Sequence, residues 1–268
     1  MLTSKYHRSF TQIPANIAIL LTLLFLTLSL EAFAKDPRRP QNFRKAKKHV
    51  YKIFQKLDAK TLYCGCLFTG KNFDAKSCGY IPKRAKTKKG KINHRATRIE
   101  IEHISPAHSF GQSFLEWREP KKFPECQKKN KKWKSSRKCA QKNPLFRQME
   151  SDLYNLWPTI GEINADRSNF RFAIIDGEKR AYGQCDVEIE NRKVEPPPYS
   201  RGIIARAVLY MDKEYPNRGV LQKKGGQRKM FEAWHKEYPA TKLEKQWARE
   251  IYKIQGNCQP FILDCASL

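Results

Sequence analysis

From Gln41 to Asp58 the apolar residues Phe43, Ala46, Val50, Ile53, Phe54 and Leu57 fall at spacings of three and four, and lysines occupy the other face. That period predicts an amphipathic surface helix. Arg98 to Glu102 alternates instead, with Ile99 and Ile101 on one face and Glu100 and Glu102 on the other, and this predicts a half-buried strand. Pro106 turns Ser105 away from helical angles and ends regular pairing, so the strand stops near His103. Neighbours on a regular strand point to opposite faces. Glu102 and His103 can therefore address one site only where the strand ends or bends.

Asn143-Pro144 has the form of a helix start, a capping side chain followed by proline at the first helical position. Leu145, Met149, Leu153 and Leu156 then predict a buried stripe, with Pro158 closing the helix. Gln148, Ser151, Asp152 and Asn155 share the polar side on that geometry, so Asn155 faces away from the stripe. Further helices are predicted over Ser200 to Tyr215, Gln227 to Tyr238 and Leu243 to Gln255, the last stopped by Gly256. Between these elements lie a Cys- and Gly-rich stretch with aromatics (Thr61 to Tyr80), an exposed basic loop (Lys83 to Arg95) and a lysine-rich insert (Lys121 to Lys142) carrying Trp133. No internal repeat is visible.

The first 34 residues read as a secretory leader: basic Lys5 and Arg8, an apolar run from Ile17 to Leu30, and Ala32-Phe33-Ala34 before Lys35. The run is too short for the roughly 20 residues of a spanning helix. The remaining 234 residues suffice for one large domain. Loss of Lys5, Arg8 and Glu31 lowers the formal charge from +27 only to +26. Such an excess attracts polyanions, although a basic surface without a specific ligand has the same composition. All eight cysteines follow the leader, and an even number in an exported chain predicts four disulfides rather than a thiolate metal site at Cys64-Gly65-Cys66. Cys126 with Cys139 and Cys258 with Cys265 are the local pairings.

The candidate chemistry is hydrolysis at phosphorus. A neutral histidine can take a proton from water, and a hard divalent cation held by oxygen ligands can stabilise phosphoryl and leaving-group charge. The intrinsic range of an imidazole suits His103 to act as a base at neutral pH, while Glu102 and Asn155 offer oxygens of the type magnesium or manganese prefers. Taken alone, a Glu-His pair more often means an ion pair or a satisfied buried histidine.

The residues Glu102-His103-Ile104-Ser105-Pro106-Ala107, Phe110-Gly111, Cys139-Ala140, Asp152-Leu153-Tyr154-Asn155-Leu156, Gly161-Glu162-Ile163-Asn164 and Arg167-Ser168-Asn169 closely resemble the endonuclease I family of periplasmic and secreted bacterial nucleases. Tyr63-Cys64-Gly65-Cys66 and Ser77-Cys78-Gly79-Tyr80 upstream, and Arg201-Gly202 and Gln255-Gly256-Asn257 downstream, extend the likeness across nearly all of the mature chain. The resemblance implies a mostly helical mixed α/β single domain of the α+β class, containing a ββα-metal motif, the His-Me finger. It implies a nuclease that cuts double-stranded DNA, and often RNA, with little sequence preference. His103 is then the general base, Glu102 the first metal ligand and Asn155 the second, with Mg2+ as the ion, Mn2+ or Ca2+ as substitutes, and 5′-phosphate products. A monomer with no membrane attachment after leader removal is expected.

One departure falls at Gln141, where relatives usually carry a glutamate thought to act on the leaving-group side. Arg167 is a candidate phosphate contact, with a structural ion pair to Asp166 or a neighbour as the alternative. His108 and His94 read as surface residues, and Trp133 either packs under a disulfide loop or stacks on a base. The competing class is a non-catalytic secreted polyanion-binding protein on the same fold.

Overall fold

In the computed structural model, which describes residues 38–177, 179–222 and 226–268, the N-terminal pattern becomes helix α1, Phe43–Phe54. Asn42 caps it by accepting the Lys45 N–H through its side-chain oxygen. Ala46, Val50, Ile53 and Phe54 are buried, whereas Phe43 and Leu57 are half-buried. The leader expected at 1–34 lies outside the described residues.

The chain then runs through a small hairpin, β1 (Phe68–Thr69) and β2 (Asn72–Phe73), to strand β3, Ile99–His103. Three short helices follow, α2 (Ala107–Gly111), α3 (Leu115–Arg118) and α4 (Ser136–Ala140), the last within the lysine-rich insert. Helix α5 (Pro144–Glu150) starts as expected at Asn143, whose side chain accepts the Leu145 and Phe146 N–H groups. It ends much sooner than expected. Asp152 caps a single 3-10 turn, Leu153–Asn155, and Leu156–Ile160 is strand β4, not helix.

The misreading has a physical cause. Every residue of β4 is buried, so the segment lacks the alternation that marks a strand, and Leu153 and Leu156 continue a helical spacing by coincidence. Pro158 does not end a helix; it sits inside the strand. Its carbonyl accepts the Leu62 N–H on the edge away from β3, so the missing donor lies on the side where no ladder bond is lost.

Strands β3 and β4 pair antiparallel, with Glu102 opposite Trp157 and His103 opposite Leu156. Helix α6, Gly161–Arg167, begins immediately after β4. The corner requires glycine, because a Cβ at Gly161 would lie 2.8 Å from the Arg95 carbonyl oxygen. Beyond α6, β5 (Arg171–Phe172), β6 (Glu188–Glu190) and β7 (Lys193–Glu195) form a small sheet in the order β5-β7-β6.

Helices α7 (Pro198–Glu214), α8 (Gly226–Glu237) and α9 (Lys242–Gln255) complete the fold close to their expected limits, and Gly256 stops α9 at φ +76°. Residues 38–268 form one mixed helix-and-sheet unit. Trp157 of β4 lies at the centre of the core, with ring centroids 4.9 Å from Phe54 and 5.0 Å from Trp247. Asp152 ties the turn before β4 to its surroundings: its carboxylate accepts Tyr210, Tyr215 and Gln255 and pairs with Arg39.

Four disulfides join all eight cysteines. The two local pairings hold, and Cys66–Cys78 and Cys64–Cys185 complete the set. Cys64–Cys185 closes 121 residues against 13 for Cys126–Cys139. In the chain-entropy picture that difference corresponds to about 5 against about 3 kcal/mol. Replacing both cysteines of the long-range pair by serine should therefore lower the denaturation midpoint more than the same change at the local pair, as read by urea unfolding of the two variants.

Candidate active site

β3 has a partner on one edge only, and a cleft of about 860 Å³ runs along the other, lined by all five of its residues. This resolves the question of facing: Glu102 and His103 alternate across the strand yet reach the same space, because the space lies along the edge. The cleft is also lined by Phe43 and Lys47 of α1, Arg137 of α4, and Asn164 and Arg167 of α6.

His103 is 8% exposed, and its Nε2 lies 2.8 Å from the carbonyl oxygen of Glu150. Glu150 ends α5, where carbonyls have no partner within the helix. A carbonyl can only accept, so Nε2 carries the proton and Nδ1 keeps a free lone pair. The Phe43 ring packs on the imidazole at 4.4 Å, and the Arg137 guanidinium lies 5.4 Å from the same ring. Burial pushes the imidazole down to about 3, helped by the charges of Arg137, Arg167 and Lys47 and opposed by the Glu150 carbonyl. It is neutral at ordinary pH.

Glu102, 3% exposed, accepts the Tyr63 hydroxyl at 2.8 Å and pairs with Arg167 at 3.0 Å, both through Oε1. Oε2 is left clear of both. Burial raises the carboxyl above its ordinary range, while Arg167 and Tyr63 pull it back. Arg167 donates further to the carbonyls of His103 (2.9 Å) and Ile104 (2.6 Å) and stacks 4.7 Å over Phe172. Its ionic partner is therefore Glu102 rather than Asp166, which is taken by Arg84 and by the Tyr182 hydroxyl.

Asn155 stands elsewhere. It is fully buried and does not line the cleft; its Oδ1 accepts the Ser105 N–H and its Nδ2 donates to the Ser105 carbonyl. It clasps the chain where β3 ends. The amide that does line the cleft is Asn164, whose Nδ2 donates to Glu100 Oε2 at 3.1 Å and so leaves its oxygen available. The signal was in the sequence, in Gly161-Glu162-Ile163-Asn164, but a strand had to be seen before it to place that asparagine on the following helix.

Gln141 also lies outside the cleft lining. Its amide donates to both oxygens of the Glu150 carboxylate, at 2.9 Å each, and Arg137 Nε holds the same group at 2.6 Å. Glu150 is fully buried, and its carbonyl and carboxylate serve the site from opposite ends of one residue. Sequence reasoning missed it, since it was neither on the apolar stripe nor on the polar face assigned to α5. His108 and His94 are exposed, and Trp133 is half-buried in the disulfide-closed loop.

The donors that face the cleft suit a hard cation. Glu102 Oε2 and Asn164 Oδ1 are oxygens, the ligand type that magnesium or manganese prefers. All cysteines are disulfide-bonded. Two protein ligands would leave most of a six-coordinate shell to water and phosphate.

The family model described as Endonuclease I matches residues 41–265. The chain belongs to the endonuclease I family. Relatives at similar length include an extracellular deoxyribonuclease of Aeromonas hydrophila, 40% identical over 88% of this chain and 96% of its own. A periplasmic deoxyribonuclease of the same organism is 39% identical over 90% and 95%. Endonuclease-1 of Buchnera aphidicola subsp. Acyrthosiphon pisum is 37% identical over 83% and 80%.

Two consequences can be measured on this endonuclease I chain. An unfolded histidine takes a proton near pH 6.5 and folded His103 only near 3, so the unfolded state binds more protons throughout that window. Stability should therefore fall as pH drops from about 6.5 to about 3, and His103→Gln should flatten that part of the profile in thermal melts. Gln141→Glu would set a second carboxylate against buried Glu150. Rather than adding activity, it should lower stability by about 1–3 kcal/mol at neutral pH and recover in acid, as denaturant titration at two pH values would show.

Proposed function

We propose that this chain is an exported, divalent-metal-dependent, sequence-nonspecific endonuclease that hydrolyses phosphodiester bonds of double-stranded DNA, and of RNA as a further substrate, leaving 5′-phosphates. The observation that carries the reading is the state of His103: a neutral imidazole, its Nε2 proton held by the Glu150 carbonyl, with Nδ1 free in a basic cleft that Glu102 also lines. The names of the relatives supply the substrate and, being extracellular and periplasmic, the compartment. Four disulfides suit the same oxidising setting.

In this reading β3, β4 and α6 make up the ββα-metal finger. Glu102 on the first strand and Asn164 on the helix would hold the ion. Asn164 replaces Asn155, whose amide is spent on Ser105. A bound Mg2+, or Mn2+ or Ca2+ in its place, would supply charge stabilisation at the phosphoryl oxygens and the leaving oxygen. His103 takes a proton from the attacking water at Nδ1. Phe43 and the Glu150 carbonyl fix the ring so that this nitrogen faces the cleft. Arg167 orients Glu102 and anchors the end of β3 through two carbonyls, rather than meeting phosphate directly. Lys47, Lys71, Arg95 and Arg98, which line the cleft, supply the positive potential that draws the backbone in. The acid on the far side of His103 is Glu150, with Gln141 as its hydrogen-bond donor.

The test is digestion of supercoiled plasmid by the oxidised protein. Mg2+ should support cutting and chelator should stop it. His103→Ala should lower turnover by about 10²–10⁴ with the metal requirement unchanged. Asn164→Ala should raise the metal concentration needed for half-maximal rate, whereas Asn155→Ala should act on stability first. Intact DNA in Mg2+, Mn2+ and Ca2+ alike, with salt-sensitive binding retained, would instead identify a polyanion-binding protein.

A further inference from the structure

Two lysine-tipped hairpins lie a few residues along the chain from the cleft-lining Arg95 and Arg137, and nothing in the chemistry above uses them. In the first, Lys86 bridges Ile92, Thr87 N–H bonds to the Lys91 carbonyl, and Asn93 returns to Ala85. In the second, Gln127 bridges Trp133, Lys128 N–H bonds to the Lys132 carbonyl, Lys134 returns to Cys126, and the Cys126–Cys139 disulfide closes the base. Each therefore has a defined backbone rather than that of a solvated tail.

Each carries four exposed lysines: Lys86, Lys88, Lys89 and Lys91 on the first, Lys128, Lys129, Lys131 and Lys132 on the second. Among the described residues none of the eight has an acidic side chain within 4 Å. The nearby arginines contrast with this, for Arg84 pairs with Asp166, Arg95 and Arg98 with Glu100, and Arg137 with Glu150. Lys131 has φ +60°, a conformation that suits glycine or asparagine. A lysine held there is strained relative to glycine or asparagine. Four like charges on one short turn repel one another, and a polyanion relieves that repulsion.

Position identifies the polyanion. Four residues after Lys91 the chain reaches Arg95, and six after Lys131 it reaches Arg137, both of which line the cleft. At about 3.3 Å per extended residue the tips reach at most about 13 and 20 Å from those points. That is about four and six base pairs at the 3.4 Å spacing of one strand. We propose that the two hairpins are phosphate-gripping arms that contact duplex DNA on flanks of the cleavage point, outside the cleft itself. The proposal rests on the nuclease reading for its substrate.

Each phosphate neutralised on B-DNA contributes about 0.9 to the slope of log affinity against log salt. The experiment is fluorescence anisotropy of the full oxidised protein with a duplex of about 30 base pairs, in chelator to prevent cutting. Wild type is compared with K86Q/K88Q/K89Q/K91Q, with K128Q/K129Q/K131Q/K132Q, with both sets together, and with the matching Lys→Arg sets. The slope should become shallower by about 3 to 4 for each glutamine set and by the sum for both, while the arginine sets keep the wild-type value. Turnover of bis(p-nitrophenyl) phosphate, which fills only the cleft, should not change.

An unchanged slope in both glutamine sets would overturn the proposal, as would an equal loss in the arginine sets. If the glutamine sets lose binding to phosphatidylglycerol vesicles and keep the DNA slope, the arms serve a lipid surface and the proposal fails. A protein that binds DNA but cuts neither plasmid nor the small diester would defeat the nuclease reading, and the slope would still decide the role of the arms.

Discussion

The arrangement at the end of β3 depends on one buried guanidinium. Arg167 reaches from the last turn of α6 to the Glu102 carboxylate and to two consecutive backbone carbonyls, His103 and Ile104. Those carbonyls lie where the strand stops and would otherwise be buried acceptors beside an acid. Desolvating an ion pair costs several kcal/mol per ion, so the pair by itself is weak evidence of net stability. What offsets the cost is the number of groups the guanidinium serves at once, the carboxylate, the two carbonyls and the face of Phe172, while the Tyr63 hydroxyl donates to the same carboxylate oxygen. Removing the arginine would leave a buried carboxylate facing an apolar ring. The geometry of the Glu102–His103 pair and the stability of the fold are thus one constraint, which explains why both terminal nitrogens of a residue on the cleft wall go to protein partners.

The histidine is held from the other side by a helix end. α5 ends at Glu150 because Ser151 and Asp152 turn the chain into the 3-10 turn before β4, and this early stop frees the carbonyl that His103 needs. A helix continuing to Leu156 would have consumed it. Asp152 fixes the stop by accepting from Tyr210, Tyr215 and Gln255, so α7 and α9 brace the very turn that positions the imidazole. Distant helices reach the site through that carboxylate rather than by lining the cleft.

Much of this was legible in the residues. α1 and α9 each bury one face against the core and expose the other, so their periods survive in the sequence, whereas β3 keeps the alternation of residue types although Glu102 is buried with the isoleucines. β3 could be placed because Glu100 and Glu102 alternate with isoleucines and Pro106 bounds it. β4 could not, since burial on both sides erases alternation and Pro158 imitates a helix stop. That one error moved the second asparagine. With Asn155 on a helix it had the properties of a ligand; with the helix starting at Gly161, Asn164 is the amide that faces the cleft. Glu150 was missed for a related reason, because its part comes from being the last residue of α5, which a longer helix conceals.

The large positive charge divides by residue type. Arg39, Arg84, Arg95, Arg98, Arg137, Arg167, Arg201, Arg206 and Arg228 all hold carboxylates within the molecule, where a planar fork can satisfy two oxygens or bridge an oxygen and a carbonyl. The lysines are mostly left on the surface and on the two hairpins, with compact, hydrated charges that fit a mobile run of phosphates without fixed geometry. Lys47 and Lys71 join four arginines in the cleft, but the lysine clusters stand on the two hairpins outside it. A chain that needed only solubility would have no reason to segregate its cations in this way, since either type solvates equally well on an open face. The segregation follows if the inner charges must hold positions to within a fraction of an ångström while the outer ones need only meet a polyanion at whatever phase its backbone presents.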